Sequence, residues 1–198
     1  MKLCVLVTGT NGVGKSSLAW ALINRFGGVD RIKNDVTYLA EGSICLAGGY
    51  DGRKFGGVDR IKNDKGSSCT SRLPEVVKEG LRNADVIVCE GMYLNTFGMN
   101  LLDSIFNADR QLIVSLYADM KTLYSRITGR SNGKNNDGVR NWPTIANKQL
   151  QAMRSAKKFQ EIGVPVLQIN TADTSTEELL GMLLSKISEL CGKDMTTR

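Results

Sequence analysis

Short apolar runs alternate with longer amphipathic stretches along the 198 residues. Five runs have the length and character of strands buried in a parallel sheet: they lie near residues 3–8, 43–47, 86–90, 111–117 and 164–169. Residues 36–39 compete with 43–47 for the second strand, and we favour 43–47. Because helical periodicity fills much of the sequence between the strands, the pattern predicts one α/β domain over residues 1–198, with a five-stranded parallel sheet covered by helices on both faces.

Two later amphipathic stretches have clear starting signals. Pro143 opens a helix that runs to about Ile162, and its cations form a basic face: Lys148, Arg154, Lys157 and Lys158. Such a face is usually only solvated, and contact with nucleic acid is the functional alternative. Ser175-Thr176-Glu177-Glu178 is a capping box, which predicts the start of the closing helix.

Composition narrows the class of protein. The sequence holds 41% hydrophobic and 23% charged residues, which is ordinary for a soluble globular domain. The net charge of +6 suits a polyanionic partner, although nucleotide phosphates also need local positive charge. The chain has no histidine, so a proton acceptor in catalysis must be a carboxylate or the substrate itself.

The cysteines and the apolar runs indicate a compartment. Five cysteines without C-x-x-C spacing predict reduced thiols, as in intracellular proteins. Every apolar run is shorter than the 18 or more residues typical of a membrane span. We therefore expect a cytoplasmic protein with no membrane partner.

The stretch from Gly9 to Ser16 fits the phosphate-loop pattern G-x-x-x-x-G-K-[ST]. It follows the first apolar run and precedes an apolar-rich helix, which is the context that this pattern requires. Lys15 is expected to reach the β- and γ-phosphates of ATP, and the Ser16 hydroxyl to bind Mg²⁺. The residues that we assign to ATP binding are Thr10, Asn11, Gly12, Val13, Gly14, Lys15, Ser16 and Ser17.

Further charged residues fit the same chemistry. Glu90 ends a buried strand, where a phosphate-loop enzyme places the acid on the magnesium side, although an acid there can also cap a turn. Arg126 and Arg130 precede a polar segment at 131–138, which predicts a lid over about 126–142. A lid of this kind brings cations to the transferring phosphoryl group, whereas solvated arginines are the alternative.

Ten residues, 26–35, recur identically as 55–64. The alternatives are a duplicated substrate loop or a local duplication in which one copy works, and we favour the second of these. The second copy is the expected working one because residues 48–54 add glycines, an aromatic ring and cations before it. We therefore expect a substrate segment over about 48–72, and the first copy is expected only to extend the turn after the first helix.

Phosphoryl transfer needs a carboxylate that orients the attacking hydroxyl. Asp59, in the second copy, is our candidate. Its rivals are Asp51 and Glu41, and three further aspartates stay open: Asp30, Asp35 and Asp64. Each also has a purely structural interpretation, because Gly-Asp pairs are common turn formers.

The order of these parts resembles that of the P-loop nucleoside and nucleotide kinases over nearly the whole chain. Within that group, residues 49–60 resemble the substrate region of phage-type kinases that phosphorylate 5-hydroxymethyluracil in DNA, which would place the protein in the host cytoplasm. This resemblance implies transfer from ATP to a flipped-out base stacked on Tyr50. The implied substrate-binding residues are Tyr50, Asp51, Arg53, Gly57, Asp59 and Arg60.

Two alternatives to a DNA acceptor stay open. One is a kinase of a free nucleoside or nucleoside monophosphate, which the general layout of the parts favours. The other is a nucleotide-binding regulator without turnover.

Overall fold

The computed structural model describes residues 1–52, 56–61, 70–130 and 142–195. In these ranges the chain forms seven strands and six α-helices. The strands are β1 (Leu3–Thr8), β2 (Val29–Lys33), β3 (Val36–Leu39), β4 (Ile44–Ala47), β5 (Val86–Glu90), β6 (Arg110–Tyr117) and β7 (Val166–Asn170). The helices are α1 (Lys15–Arg25), α2 (Leu73–Asn83), α3 (Met99–Phe106), α4 (Met120–Arg130), α5 (Trp142–Glu161) and α6 (Thr176–Cys191).

The strands form a mixed sheet in the order β2-β3-β4-β5-β1-β6-β7. Strand β1 lies between β5 and β6 and is parallel to both. The outer strands β4 and β7 continue the parallel part, whereas β2 and β3 are antiparallel to their neighbours. The five predicted strands are present and parallel, as β1, β4, β5, β6 and β7, but the prediction of a purely parallel five-stranded sheet was wrong, because β2 and β3 are two further, antiparallel strands. Both candidates for the second strand, 36–39 and 43–47, correspond to strands.

The first copy of the repeat accounts for the additional edge strand. Its residues Val29–Lys33 form β2, and a tight turn leads into β3 through Asn34 and Asp35, whose φ angles are 51° and 59°. Two consecutive positive φ angles are typical of the turn that joins a two-stranded hairpin. The expectation that this copy only extends the turn after α1 was wrong. All five residues of β2 are exposed, so its sequence lacks the alternation of apolar and polar residues that predicts a strand.

Helices cover both faces of the sheet, as predicted. On one face Leu3, Val5 and Val7 of β1 belong to an apolar cluster with α1 and α6. On the other face Cys4 and Leu6 belong to a cluster with α2 and α3. Because β1 lies between β5 and β6 inside the parallel part of the sheet, the loop after it lies at the carboxyl ends of these strands, where ligands of such folds bind.

The start of α6 is confirmed. The Ser175 hydroxyl accepts the Glu178 backbone N–H, and the Glu178 carboxylate accepts that of Ser175. Of the expected lid at 126–142, residues 126–130 belong to α4, and 131–141 lie outside the described residues. Within the part of the chain that is described, no helix is both long enough and apolar enough to cross a bilayer.

Candidate functional site

The phosphate loop joins β1 to α1 through three glycines with positive φ angles. These angles are 138° at Gly9, 85° at Gly12 and 93° at Gly14. A Cβ atom at Gly9 would lie 2.5 Å from the Leu116 carbonyl oxygen, so this position requires glycine for space as well as for conformation. The loop is also anchored from outside, because the Thr10 hydroxyl donates to the Ile145 carbonyl at 3.0 Å.

Lys15 begins α1 and is buried, with a relative exposure of 8%. Its ammonium donates to the carbonyls of Gly9 at 2.8 Å and Thr10 at 2.9 Å. The Asn95 amide pairs with Gly9 from the other side, since Oδ1 accepts the Gly9 N–H at 2.8 Å and Nδ2 donates to the Gly9 carbonyl at 3.2 Å. No sequence pattern points to Asn95, because its role depends on an interaction across 86 residues.

The side chains of Ser16 and Glu90 bring together two oxygen atoms that could bind a metal ion. The Ser16 hydroxyl donates to Glu90 Oε1 at 3.3 Å, close to the ~2.9 Å between adjacent ligands that bonds of about 2.0–2.1 Å give around octahedral Mg²⁺. Among the described residues, no group of three or more His, Cys, Asp or Glu side chains could hold a metal ion. A hydroxyl and a carboxylate oxygen at this spacing fit the usual mode of Mg²⁺ binding, in which phosphate oxygens and water complete the coordination.

Glu90 is held in a buried environment. It is 3% exposed, and the Tyr50 hydroxyl donates to its Oε1 at 2.9 Å. Burial raises the pKa of the Glu90 carboxyl, and the charge of Lys15 and the hydrogen bond from Tyr50 act in the opposite direction. Burial, together with the neighbouring Glu90, also raises the pKa of Tyr50, which keeps the phenol a donor.

The second copy of the repeat packs against the end of β5 through glycines. A Cβ at Gly57, whose φ is 79°, would lie 2.4 Å from the Glu90 carbonyl oxygen. A Cβ at Gly91 would lie 2.4 Å from Val58 Cγ2 and 2.7 Å from Asp59 Oδ1. These close approaches position the 3-10 turn Val58–Arg60 beside Glu90.

Asp59 lies on that turn and is fixed by backbone donors. The Met92 N–H donates to its Oδ2 at 2.9 Å and its Oδ1 at 3.0 Å, and the Tyr93 N–H donates to Oδ1 at 3.2 Å. Asp59 and Arg60 line a cavity of about 450 Å³ together with Lys15, Ser16 and Glu90. The structure thus brings the expected acceptor carboxylate to the phosphate loop.

Four of the rival carboxylates, those at positions that the structure describes, do not line this cavity. Asp30, which is the first-copy equivalent of Asp59, is exposed on β2 and pairs with Arg31 at 2.7 Å. Asp35 pairs with Arg72 at 3.0 Å, and Asp51 and Glu41 are exposed. Asp64 and the expected substrate residue Arg53 lie outside the described residues.

The stacking hypothesis requires that Tyr50 present its ring to the acceptor, but the structure buries that ring. The residue is 1% exposed, and its ring packs edge-to-face on Trp20 with 5.7 Å between the centroids. A Cβ at Gly56 would lie 2.5 Å from the Tyr50 ring, so the ring is closed in from that side as well. Tyr50 contacts the site through its hydroxyl instead.

Arg126 contacts the phosphate loop from a second cleft. Its guanidinium donates to the Gly12 carbonyl at 3.4 Å, to the Thr171 hydroxyl at 3.0 Å and to the Thr171 carbonyl. This cleft of about 290 Å³ also includes Ser17 and Thr174. The arrangement places Arg126 beside the loop that follows β7. The Arg130 side chain lies outside the described part of the structure.

No protein-family model and no curated protein matches the sequence. Solved structures share the fold over nearly the whole chain. The YorR protein from Bacillus subtilis, in complex with phosphorylated GDP, is 14% identical with a TM-score of 0.55, over 93% of this chain and 95% of that one. A sugar kinase from Janibacter sp. HTCC2649 is 11% identical with a TM-score of 0.57, over 95% of each chain. The fold is therefore similar to that of P-loop kinases.

Proposed function

We propose that the protein is a Mg²⁺- and ATP-dependent phosphotransferase that moves the γ-phosphoryl group to the hydroxymethyl oxygen of 5-hydroxymethyluracil in DNA. One observation carries the proposal: the phosphate-loop lysine, the Ser16–Glu90 pair and a backbone-held aspartate line the same cavity of about 450 Å³. Donor and acceptor chemistry would meet there.

The donor side follows from the loop and the Ser16–Glu90 pair. Loop N–H groups would bind the phosphate oxygens, and Lys15 would exchange its carbonyl partners for the β- and γ-phosphates. A bound Mg²⁺ supplies positive charge that stabilises the charge spreading over the phosphoryl oxygens. Ser16 and Glu90 would hold that ion, and Tyr50 would keep the Glu90 oxygen in place.

The acceptor side follows from Asp59. Its carboxylate would accept a hydrogen bond from the attacking hydroxyl and would take its proton as the new oxygen–phosphorus bond forms and the bond to the β-phosphate oxygen breaks. Since two backbone N–H groups already hold Asp59, little reorganisation is needed. Arg60, in the same cavity, suits an acceptor that carries negative charge.

A DNA acceptor is proposed from residues 49–60 and from the net charge of +6. A base in a duplex cannot reach such a cavity, so the nucleotide would have to be unpaired or flipped out. The alternative acceptor is a free nucleoside or nucleoside monophosphate. It is favoured by the cavity volume, which lies within the ~300–1,000 Å³ of small-molecule pockets, and by the phosphorylated GDP that the similarly folded YorR protein binds.

A γ-phosphate transfer assay with ATP and Mg²⁺ tests the proposal. The acceptors are offered in parallel: hydroxymethyluracil DNA, ordinary DNA with free 5′ ends, and a panel of free nucleosides and monophosphates. Label on the modified DNA alone supports the proposed acceptor, and label only on a free nucleoside or nucleotide replaces it with the alternative.

Lys15→Ala should abolish transfer, and Lys33→Ala, on the exposed strand β2, is its matched control. ATP binding without transfer to any acceptor would instead identify a regulator. Near-normal turnover in Lys15→Ala would contradict the phosphate-loop assignment.

A further inference from the structure

Helix α5 lies beside the cavity of about 450 Å³ that would hold the acceptor, which we call the acceptor cavity. The helix continues away from this cavity as a cationic surface. The Lys148 ammonium lies 2.9 Å from the sulfur of Met92, a residue that lines the cavity. Between residues 142 and 160 the sequence of α5 contains no Asp or Glu. The helix therefore leads positive charge away from the place where the acceptor hydroxyl would react.

Another, smaller cavity, distinct from the cleft beside Arg126, lies farther along α5. It measures about 160 Å³ and lies between residues 95–97 and the helix, where Gln151, Arg154, Ser155 and Lys158 line it. This volume is below the ~300 Å³ at which small-molecule pockets begin, so it suits a single charged group better than a whole nucleoside. Arg154 and Lys158 are both exposed at its edge.

Ser155 indicates that this cavity is built for a ligand. The residue is 3% exposed, and its hydroxyl has no hydrogen-bond partner among the described residues. A buried hydroxyl without a partner costs about 1–3 kcal/mol, and an anion that accepted a hydrogen bond from it would remove that cost. A donor of this kind between two cations matches the chemistry of a phosphate diester.

We propose that this cavity, lined by Arg154, Ser155 and Lys158, binds a backbone phosphate of the DNA strand that carries the acceptor base. The inference rests on the proposed DNA acceptor. Lys148 and Ser155 are seven residues apart on the helix, which corresponds to about 10 Å along its axis. The phosphate bound here would thus belong to a nucleotide near the reacting one in the strand.

Binding is measured separately from transfer, by fluorescence anisotropy of a labelled single strand of about 12 nucleotides with one 5-hydroxymethyluracil. The double variant Arg154→Gln/Lys158→Gln should bind this strand about tenfold more weakly. The slope of log K against log[salt] should become shallower by about 0.7 for each phosphate that the variant no longer binds. Lys157→Gln removes an exposed charge from the same helix outside the cavity, and its affinity should stay within about twofold of the parent value.

Ser155→Ala separates ligand binding from structure. If the hydroxyl only occupied space, its removal would leave DNA affinity unchanged. Under the proposal affinity falls several-fold, while the free energy of unfolding stays the same or rises because a buried polar group without a partner is gone. A single nucleotide of 5-hydroxymethyluracil has no neighbouring backbone phosphate, so it should bind the parent protein and this variant equally.

The outcomes distinguish this inference from the proposed function. Binding that depends on Arg154, Ser155 and Lys158, without transfer to the strand, supports the phosphate site and removes the acceptor assignment. Transfer to the strand that none of these variants weakens overturns the phosphate site and leaves the acceptor assignment intact. Equal weakening by Lys157→Gln, or no binding of the strand by the parent protein, also overturns the phosphate site.

Discussion

Replacing Asp59 by Asn tests the acceptor side of the site, and the repeat supplies its control. The same substitution at Asp30 changes the same letter of the same ten-residue sequence. Asp30 lies on an exposed strand and Asp59 lies in the cavity. Local sequence is therefore held constant between the two variants, and only the surroundings differ.

The structural cost of Asp59→Asn can be bounded. Asn keeps one oxygen for the N–H groups of Met92 and Tyr93 but replaces the other by an amide donor. Bonds to a charged acceptor contribute about 1.5–3 kcal/mol and neutral ones about 0.5–1.5, so the variant should lose on the order of 1–2 kcal/mol of stability. A domain of ordinary stability, about 5–15 kcal/mol, stays folded after such a loss.

The expected loss of activity is larger than that. Removing a positioned acid–base group lowers turnover by about 10²–10⁴-fold, which corresponds to about 2.7–5.4 kcal/mol in the barrier. Asp59→Asn should therefore reduce kcat at least ~10²-fold and leave the KM for ATP nearly unchanged. Asp30→Asn should match the parent, because its exposed pair with Arg31 contributes at most about 1 kcal/mol.

The assay is steady-state γ-phosphate transfer, with urea denaturation of each variant alongside. If Asp59→Asn retained more than about a tenth of the parent kcat while folded, the carboxylate would be only a cap for the turn at Met92–Asn95. An equal loss in Asp30→Asn would refute the assignment of function to the second copy.

Three further predictions concern the metal side. Gly57→Ala should lose about 1–3 kcal/mol more of its free energy of unfolding, measured in urea, than Gly28→Ala, its equivalent in the first copy. Both positions have positive φ, but only a Cβ at position 57 would meet the Glu90 carbonyl. Tyr50→Phe should raise the Mg²⁺ concentration for half-maximal turnover up to about tenfold, since Glu90 loses a donor worth about 1 kcal/mol. Tyr38→Phe is the control and should leave that concentration unchanged, because the Tyr38 hydroxyl donates to the Glu79 carbonyl instead. Burial raises the pKa of Glu90, so the folded protein without ligands keeps a proton that the unfolded chain releases. Its free energy of unfolding should therefore fall as pH rises from the ordinary pKa of a Glu to the raised pKa of Glu90. Glu90→Gln should flatten that fall, and an unchanged slope in urea titrations across this window would contradict the burial argument.

The parts of the molecule that the sequence could predict are those whose cause is local. The phosphate loop is a contiguous pattern, and β1 and β5 are continuous apolar runs because both of their faces are buried. The capping box at Ser175 is likewise complete within four residues. Such features depend little on what the rest of the chain does.

The repeat shows why the remainder could not be predicted. Val29-Asp30-Arg31 is part of a strand, and the identical Val58-Asp59-Arg60 is a 3-10 turn. Local propensities are equal in the two copies, so the difference comes from the partner that each meets. The first copy pairs with the edge of β3, whereas the second packs on the end of β5 at Glu90 and Gly91.

The missed site interactions have the same origin. Asn95 reaches Gly9, and Arg126 reaches Thr171, across long stretches of chain. The buried position of Tyr50 depends on Trp20 and Gly56, which no spacing rule connects to it. A sequence contains the residues of such interactions but not their distances.

The carbonyl partners of Lys15 have a consequence for how readily a nucleotide leaves. The ammonium donates to the Gly9 and Thr10 carbonyls. Under the proposed function, a triphosphate would displace these two buried charge-assisted bonds, each worth about 1.5–3 kcal/mol, before Lys15 gained new ones. Asn95 also donates to the Gly9 carbonyl, and that bond would not need to break in the exchange. For Lys15, binding would then exchange partners rather than add bonds, so this ammonium would add less to nucleotide affinity than a lysine without partners, and it would release the spent nucleotide more readily.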